Sequence, residues 1–146
     1  MNATLRKFGH PASLIGDYRH WCVLLRPQQV TLGALVLGAK SEAMAFPDLP
    51  AEAFTELHRV TVDIETALKA LRPFGRINYL MLMMVDPNVH FHVIPRYAGA
   101  REWPQGAPGA REFVDVGWPK VPDLGHAVTL EGEHLSALVL WLQGYF

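Results

Sequence analysis

The chain is 146 residues long, half apolar and 18% charged, with a formal net charge of −1 at pH 7. That length suits a single domain, residues 1–146, with one core, and the near-neutral balance excludes the broad basic surface that nucleic acid or anionic lipid would require. The one cysteine, Cys22, excludes intrachain disulfides and multi-cysteine metal sites, reads as a small buried hydrophobe, and points to a reducing compartment, the cytoplasm.

Met1 to Asp17 carries Arg6, Lys7 and His10 but no apolar stretch suited to a signal peptide. The longest aliphatic run, Leu80 to Val85, is far short of the ~20 residues needed to span a bilayer, so no membrane partner is expected. Trp21 to Leu25 has the character of a buried strand. Arg26-Pro27-Gln28-Gln29 breaks it, and Thr31 to Leu37 predicts a second strand antiparallel to the first.

From Ala51 the period changes to that of a helix, with Phe54, Leu57, Val60, Ile64, Leu68 and Leu71 on one face. Glu52 suits the positive end of the helix dipole and Lys69 and Arg72 the negative end. Glu65 and Lys69 are spaced as a solvent-face ion pair, and Pro73 and Gly75 end the helix. Arg76 to Met84 and Asn88 to Tyr97 follow as strands. Only Val85-Asp86-Pro87 separates them, too short for a crossover, so they form an antiparallel hairpin. The core thus covers about 18–97. An irregular extension rich in proline and glycine covers 98–128. A short amphipathic helix over about 131–143 carries Leu135, Leu138, Val139 and Leu142, with Thr129 as a candidate cap.

The chemistry concentrates on Asn88-Val89-His90-Phe91-His92-Val93. Alternate side chains of a strand share a face and lie ~6.5–7 Å apart, so Asn88, His90 and His92 project together while Val89, Phe91 and Val93 turn into the core. Three readings compete for the polar face. The histidines could be ordinary strand residues with satisfied hydrogen bonds. They could be two ligands of a metal, completed by His126 or His134; however, Arg96 stands where a ligand carboxylate would be expected. Or they could handle phosphate. A neutral imidazole, with a pKa of ~6.5, is a ready nucleophile at phosphorus, and a cationic neighbour can hold oxygens and supply a proton.

The run Asn88-Val89-His90-Phe91-His92-Val93-Ile94-Pro95-Arg96 resembles the signature strand of the histidine triad superfamily, three histidines at alternate positions followed by apolar residues and often Pro-Arg. Trp21–Leu25 and Thr31–Leu37 with Gly33, the helix from Ala51, Ile77-Asn78-Tyr79 and the histidine strand follow that family's order. Asp115-Val116-Gly117-Trp118-Pro119 resembles a segment of some bacterial members.

The resemblance implies an α+β fold: a five-stranded antiparallel sheet with a main helix and a C-terminal helix, as a homodimer joined edge to edge. It implies a small-molecule nucleotide as ligand, with no cofactor and no protein-held metal. His90 would attack the α-phosphorus to form a nucleotidyl-histidine, and His92 would contact phosphate oxygens or assist proton transfer. Asn88 fills the first triad position, as in the branch with an amide there. The main-chain carbonyl at that position, which orients the attacking ring, does not depend on the side chain.

Two departures bear on the ligand. Ala34 stands where many members have a histidine. Arg26 stands near the acid or amide that usually holds the ribose, and cannot accept a hydrogen bond. Arg26, Lys40 and Arg96 are candidate phosphate contacts, with Arg26, Arg96 and Asn88 carried forward as substrate-binding residues. The alternative function is a nucleotide-binding or sensor module without efficient catalysis.

Overall fold

The computed structural model describes every residue, Met1–Phe146. Its strands are β1 (Leu14–Asp17), β2 (Trp21–Leu25), β3 (Gln28–Gln29), β4 (Leu35–Ala39), β5 (Arg76–Leu80), β6 (His90–Arg96), β7 (Ala100–Trp103), β8 (Arg111–Val114) and β9 (Val128–Thr129). Its helices are α1 (Ala3–Lys7), α2 (Ala51–Leu71) and α3 (Gly132–Gln143). The body is a five-stranded sheet in the order β1-β2-β4-β6-β5, antiparallel throughout. The α+β class and the five-stranded antiparallel sheet are as expected.

The apolar periods explain what packs where. From β2, Trp21, Val23 and Leu25 face the same side as Leu35, Leu37 and Ala39 from β4 and Val93 from β6. All are buried with Val60, Ile64, Leu68 and Leu71 of α2. Each such Leu or Ile contributes about 1.5–3 kcal/mol on burial. The Trp21 indole N–H donates to the Ala53 carbonyl at 2.7 Å, fixing the start of α2 on the sheet. Phe54, expected on the buried face, is instead 40% exposed and rests on Phe46 with ring centroids 5.1 Å apart. Glu65 accepts from the Tyr79 hydroxyl at 2.9 Å and does not pair with Lys69, because β5 brings the phenol within reach.

Several boundaries move. The second strand begins at Leu35, not Thr31. Residues 31–34 form a turn in which Gly33 takes φ +94°, and the Gln29 side chain bonds Arg26 O, Ala34 O and Gly33 N. The strand predicted to reach Met84 stops at Leu80. Met83 adopts φ 50°, and Met84 is 80% exposed while Met81 and Met83 pack on the core. The proline- and glycine-rich segment contains the β7–β8 hairpin and the short β9, which pairs with β3. α3 starts after Glu131, with no side-chain cap from Thr129. No helix is long and apolar enough to cross a membrane.

The other sheet face holds what the sequence did not announce. α1 has only five residues, too few to persist alone. It is held by Asn2, whose side chain accepts from Leu5 N and donates to the carbonyls of Ala39 and Ser41 at 2.9 and 2.8 Å. Leu5 and Phe8 pack on Cys22, Leu24 and Val36 in a second, smaller core. Gly38 permits the approach, since a Cβ there would collide with Leu5.

Candidate active site

His90 and His92 project from β6 on the α1 side, beside Gly38 and Val36 of β4. Their ring centroids are 5.1 Å apart and nearly perpendicular, at 82°. Nδ1 of His90 lies 2.7 Å from the main-chain carbonyl oxygen of Asn88. A carbonyl only accepts, so Nδ1 carries the proton and the neutral ring keeps its lone pair on Nε2. The amide of Asn88 is occupied elsewhere: Oδ1 accepts from the Thr4 hydroxyl at 2.9 Å and Nδ2 donates to the Glu42 carbonyl at 3.2 Å. In this conformation the side chain latches α1 and the main chain orients His90.

The pair is closed to solvent, although a phosphate-handling face must be reachable by its ligand. His90 is 2% and His92 8% exposed. Phe8 covers both, its ring centroid 5.8 Å from that of His90 and 5.6 Å from that of His92. The reason is the docking of α1, which leads directly into Phe8 and closes over the face. Thr4 and Phe8 are thus site residues that strand periodicity could not reveal. The available signals were the spacing of Leu5 and Phe8 in the N-terminal segment and the glycine at position 38.

Burial, followed by the nearby charges of Arg26 and His90, pushes the His92 imidazole down to about 4, with Asp86 opposing. His92 is therefore neutral at physiological pH and is not the cationic partner first envisaged. The buried cation on this face is Arg26, which follows β2 and is 7% exposed; Lys7, the other, is exposed and paired with Asp86. Its main chain is fixed by the Arg26 N to Ala34 O bond of 3.1 Å and by Gln29, which bonds its carbonyl. Its Cζ stands 6.0 Å from the centre of the Phe8 ring. Nε and Nη1 of Arg26 and Nδ1 of His92 are buried without a hydrogen-bond partner, and none of the chain's ion pairs includes Arg26.

The other basic candidates are committed. Arg96 donates to both carboxylate oxygens of Asp115 at 2.9–3.2 Å, to Asn78 Oδ1 at 3.0 Å and to the Lys120 carbonyl at 2.9 Å. It braces the late segment against the sheet and is not brought to the histidine pair. Burial alone would raise the pKa of Asp115, but the bonds from Arg96, Tyr97 N and Gly117 N outweigh it and hold the carboxyl below its usual value. Lys40 bonds Asp17 and the Tyr18 carbonyl at 2.8 and 2.7 Å. His126 pairs with Asp123 on an exposed loop, and no group of three histidine, cysteine or acidic side chains gathers into a metal-holding cluster. Trp118 lies under the Arg76 guanidinium, 5.3 Å from its Cζ. Trp103 donates to the His134 carbonyl at 3.0 Å.

An antiparallel five-stranded sheet with a long helix on one face and paired histidines on a central strand of the other defines the class: the chain has the histidine triad fold. Solved histidine triad structures superpose over nearly its full length. One from Sinorhizobium meliloti is 19% identical, with 100% of this chain and 96% of that one covered and a TM-score of 0.70. One from Marinobacter aquaeolei is 22% identical, with 96% and 92% covered and a TM-score of 0.66. A structure from Sulfolobus tokodaii, described as a hypothetical histidine triad nucleotide-binding protein, is 15% identical with 91% and 82% covered and a TM-score of 0.63. At these identities the likeness is one of fold. No protein-family model matches the sequence, and no curated protein matches it.

Proposed function

We propose that the protein is a nucleotidyl hydrolase or transferase in which His90 is the nucleophile. The observation that carries this reading is the 2.7 Å contact between His90 Nδ1 and the Asn88 carbonyl, which leaves Nε2 as the free base of a fixed ring. Nε2 forms a bond to the α-phosphorus of a nucleotide phosphoester, phosphoramidate or polyphosphate. The bond to the leaving group breaks with its electron pair and takes a proton from water. A second water, or another acceptor, then attacks phosphorus and releases the nucleotide and the neutral imidazole. His92, beside it, contacts the phosphoryl oxygens as a neutral hydrogen-bond donor. β5 is a sheet edge without a partner on its outer side, the natural place for a second copy to extend the sheet into a homodimer.

The test is incubation with AMP or GMP phosphoramidate and with dinucleoside polyphosphates. Turnover with a trappable adduct is expected in the wild type and neither in His90→Ala. An unchanged rate in His90→Ala removes the mechanism. The second reading, a nucleotide-binding or sensor module, is favoured by one observation, the closure of Phe8 over both rings. Binding without product supports it.

A further inference from the structure

Arg26 is a buried cation without a counter-charge in its own chain. A guanidinium with Nε and Nη1 lacking acceptors is costly to fold. The Phe8 ring 6.0 Å from its Cζ offsets only part of that cost, with no acceptor for either nitrogen. Yet its backbone is fixed by the Gln29 bonds, so the side chain is presented on the histidine face by construction. The unpartnered Nδ1 of His92 belongs to the same small space, and both groups flank one object, the Phe8 ring. A phenyl ring thus occupies the place on which His90, His92 and Arg26 converge, and it satisfies none of their polar atoms. A tetrahedral oxyanion is of similar size and would satisfy them.

We propose that Arg26 and His92 form an oxyanion clamp for the phosphoryl group that His90 attacks, and that Phe8 is the plug that leaves when that group enters. The clamp rests on the reading of His90 as acting at phosphorus. It supplies what the pair of histidines lacks: a permanent positive charge beside the reacting group. It also gives the departure at position 26 a chemical meaning, since a guanidinium there selects ligands by their phosphoryl oxygens. The plug can hinge at Gly9, which follows Phe8 directly at φ +95°. Its displacement breaks the bond from the Ser13 hydroxyl to the Phe8 carbonyl at 2.8 Å. Asn2 and Leu5 anchor the start of α1, and Thr4 to Asn88 and Lys7 to Asp86, at 2.9 and 2.8 Å, fasten the rest.

The experiment is calorimetric titration with inorganic phosphate and with AMP, so that it needs no turnover. Phe8→Ala is expected to bind both about tenfold more tightly than wild type, and Arg26→Met in that background to lose that affinity again, the scale of one charge-assisted hydrogen bond. Thr4→Val, which removes the latch between α1 and Asn88 without touching Phe8, should shift affinity in the same direction as Phe8→Ala, by less. Arg26→Met alone is expected to melt about 3 °C or more above wild type, because it removes an unpaired buried charge.

Equal phosphate affinity in Phe8→Ala with and without Arg26 overturns the clamp. Wild-type affinity in both Phe8→Ala and Thr4→Val overturns the plug. A lower melting temperature for Arg26→Met assigns the guanidinium to structure and also overturns the clamp. Failure of the catalytic reading looks different: turnover that survives His90→Ala while phosphate binding still depends on Arg26.

Discussion

The Thr4 hydroxyl donates to the Asn88 side-chain oxygen across 2.9 Å of space and 84 residues of chain. This bond joins the shortest α-helix of the protein to the residue two positions before its histidine strand, and the Asn88 main-chain N–H donates a second bond to the same hydroxyl at 3.3 Å. Both partners are buried. One of the contacts that close the site, alongside the Asn2 bonds and the Leu5 packing, can therefore be removed without altering any ring.

Thr4→Val should cost about 1–3 kcal/mol, the penalty for leaving buried amide groups unpaired. Urea unfolding measures the loss. Hydrogen exchange should quicken first at α1 and at the N-terminal end of β6, before global unfolding. Uniform acceleration across the sheet would show that the latch is not local.

Asn88→Ala separates the two duties of position 88. The main-chain carbonyl that receives His90 Nδ1–H is unchanged by the substitution, so turnover should stay within about tenfold of wild type. His90→Gln, which removes the nucleophilic nitrogen, should abolish it. Parallel losses in the two variants would mean that the side chain at 88, and not its carbonyl, governs the reaction.

His92 sets an acid-side dependence of stability. Its folded pKa of about 4 lies below the ~6.5 of an unfolded histidine, so the unfolded chain binds the proton more readily between those values. Stability should fall as pH drops from about 6.5 to about 4 and be unaffected by this group above that window. The loss approaches about 3 kcal/mol by pH 4. The difference in urea midpoint between wild type and His92→Gln, followed from pH 7 to pH 4.5, isolates the effect. Parallel curves would contradict it.

Asp115→Ala should be among the most destabilising single changes, at about 3–5 kcal/mol, because it strands Arg96 as a buried, unpaired charge. Since the folded carboxyl is held below its usual value, its contribution is present at neutral pH and lost as acid protonates it. Phosphate binding at the histidine pair should be retained under conditions where the variant is folded. A stability change under 1 kcal/mol would show that Asn78 and the Lys120 carbonyl hold Arg96 adequately.

The elements legible from sequence were those governed by neighbours along the chain. The helical period from Ala51 to Leu71 and the alternation from Val89 to Val93 each state which side is apolar, and the folded sheet honours both. The antiparallel pairing expected from a short link at 85–87 holds, although the link is longer, 81–89, because β5 stops at Leu80 and β6 starts at His90. Boundaries drifted where one residue could serve two ends. Thr31 continues an apolar run, yet its hydroxyl is drawn to the Pro95 carbonyl at 2.6 Å and the strand begins only at Leu35. Arg26 and Arg96 were alike as isolated cations. Asp115, nineteen residues on, captured one, and no acid reached the other.

Thus local periodicity sufficed for the long helix and for the face on which His90 and His92 stand, since each follows from the geometry of a few consecutive residues, while the five-stranded α+β sheet was what the family resemblance implied. Only the folded molecule decided that Phe8 lies over those rings, that His92 is neutral and that Arg26 is the unpaired charge beside them. These depend on burial and on contacts between distant segments, and a glycine at position 38 or a threonine at position 4 declares such a contact only when its partner is in place.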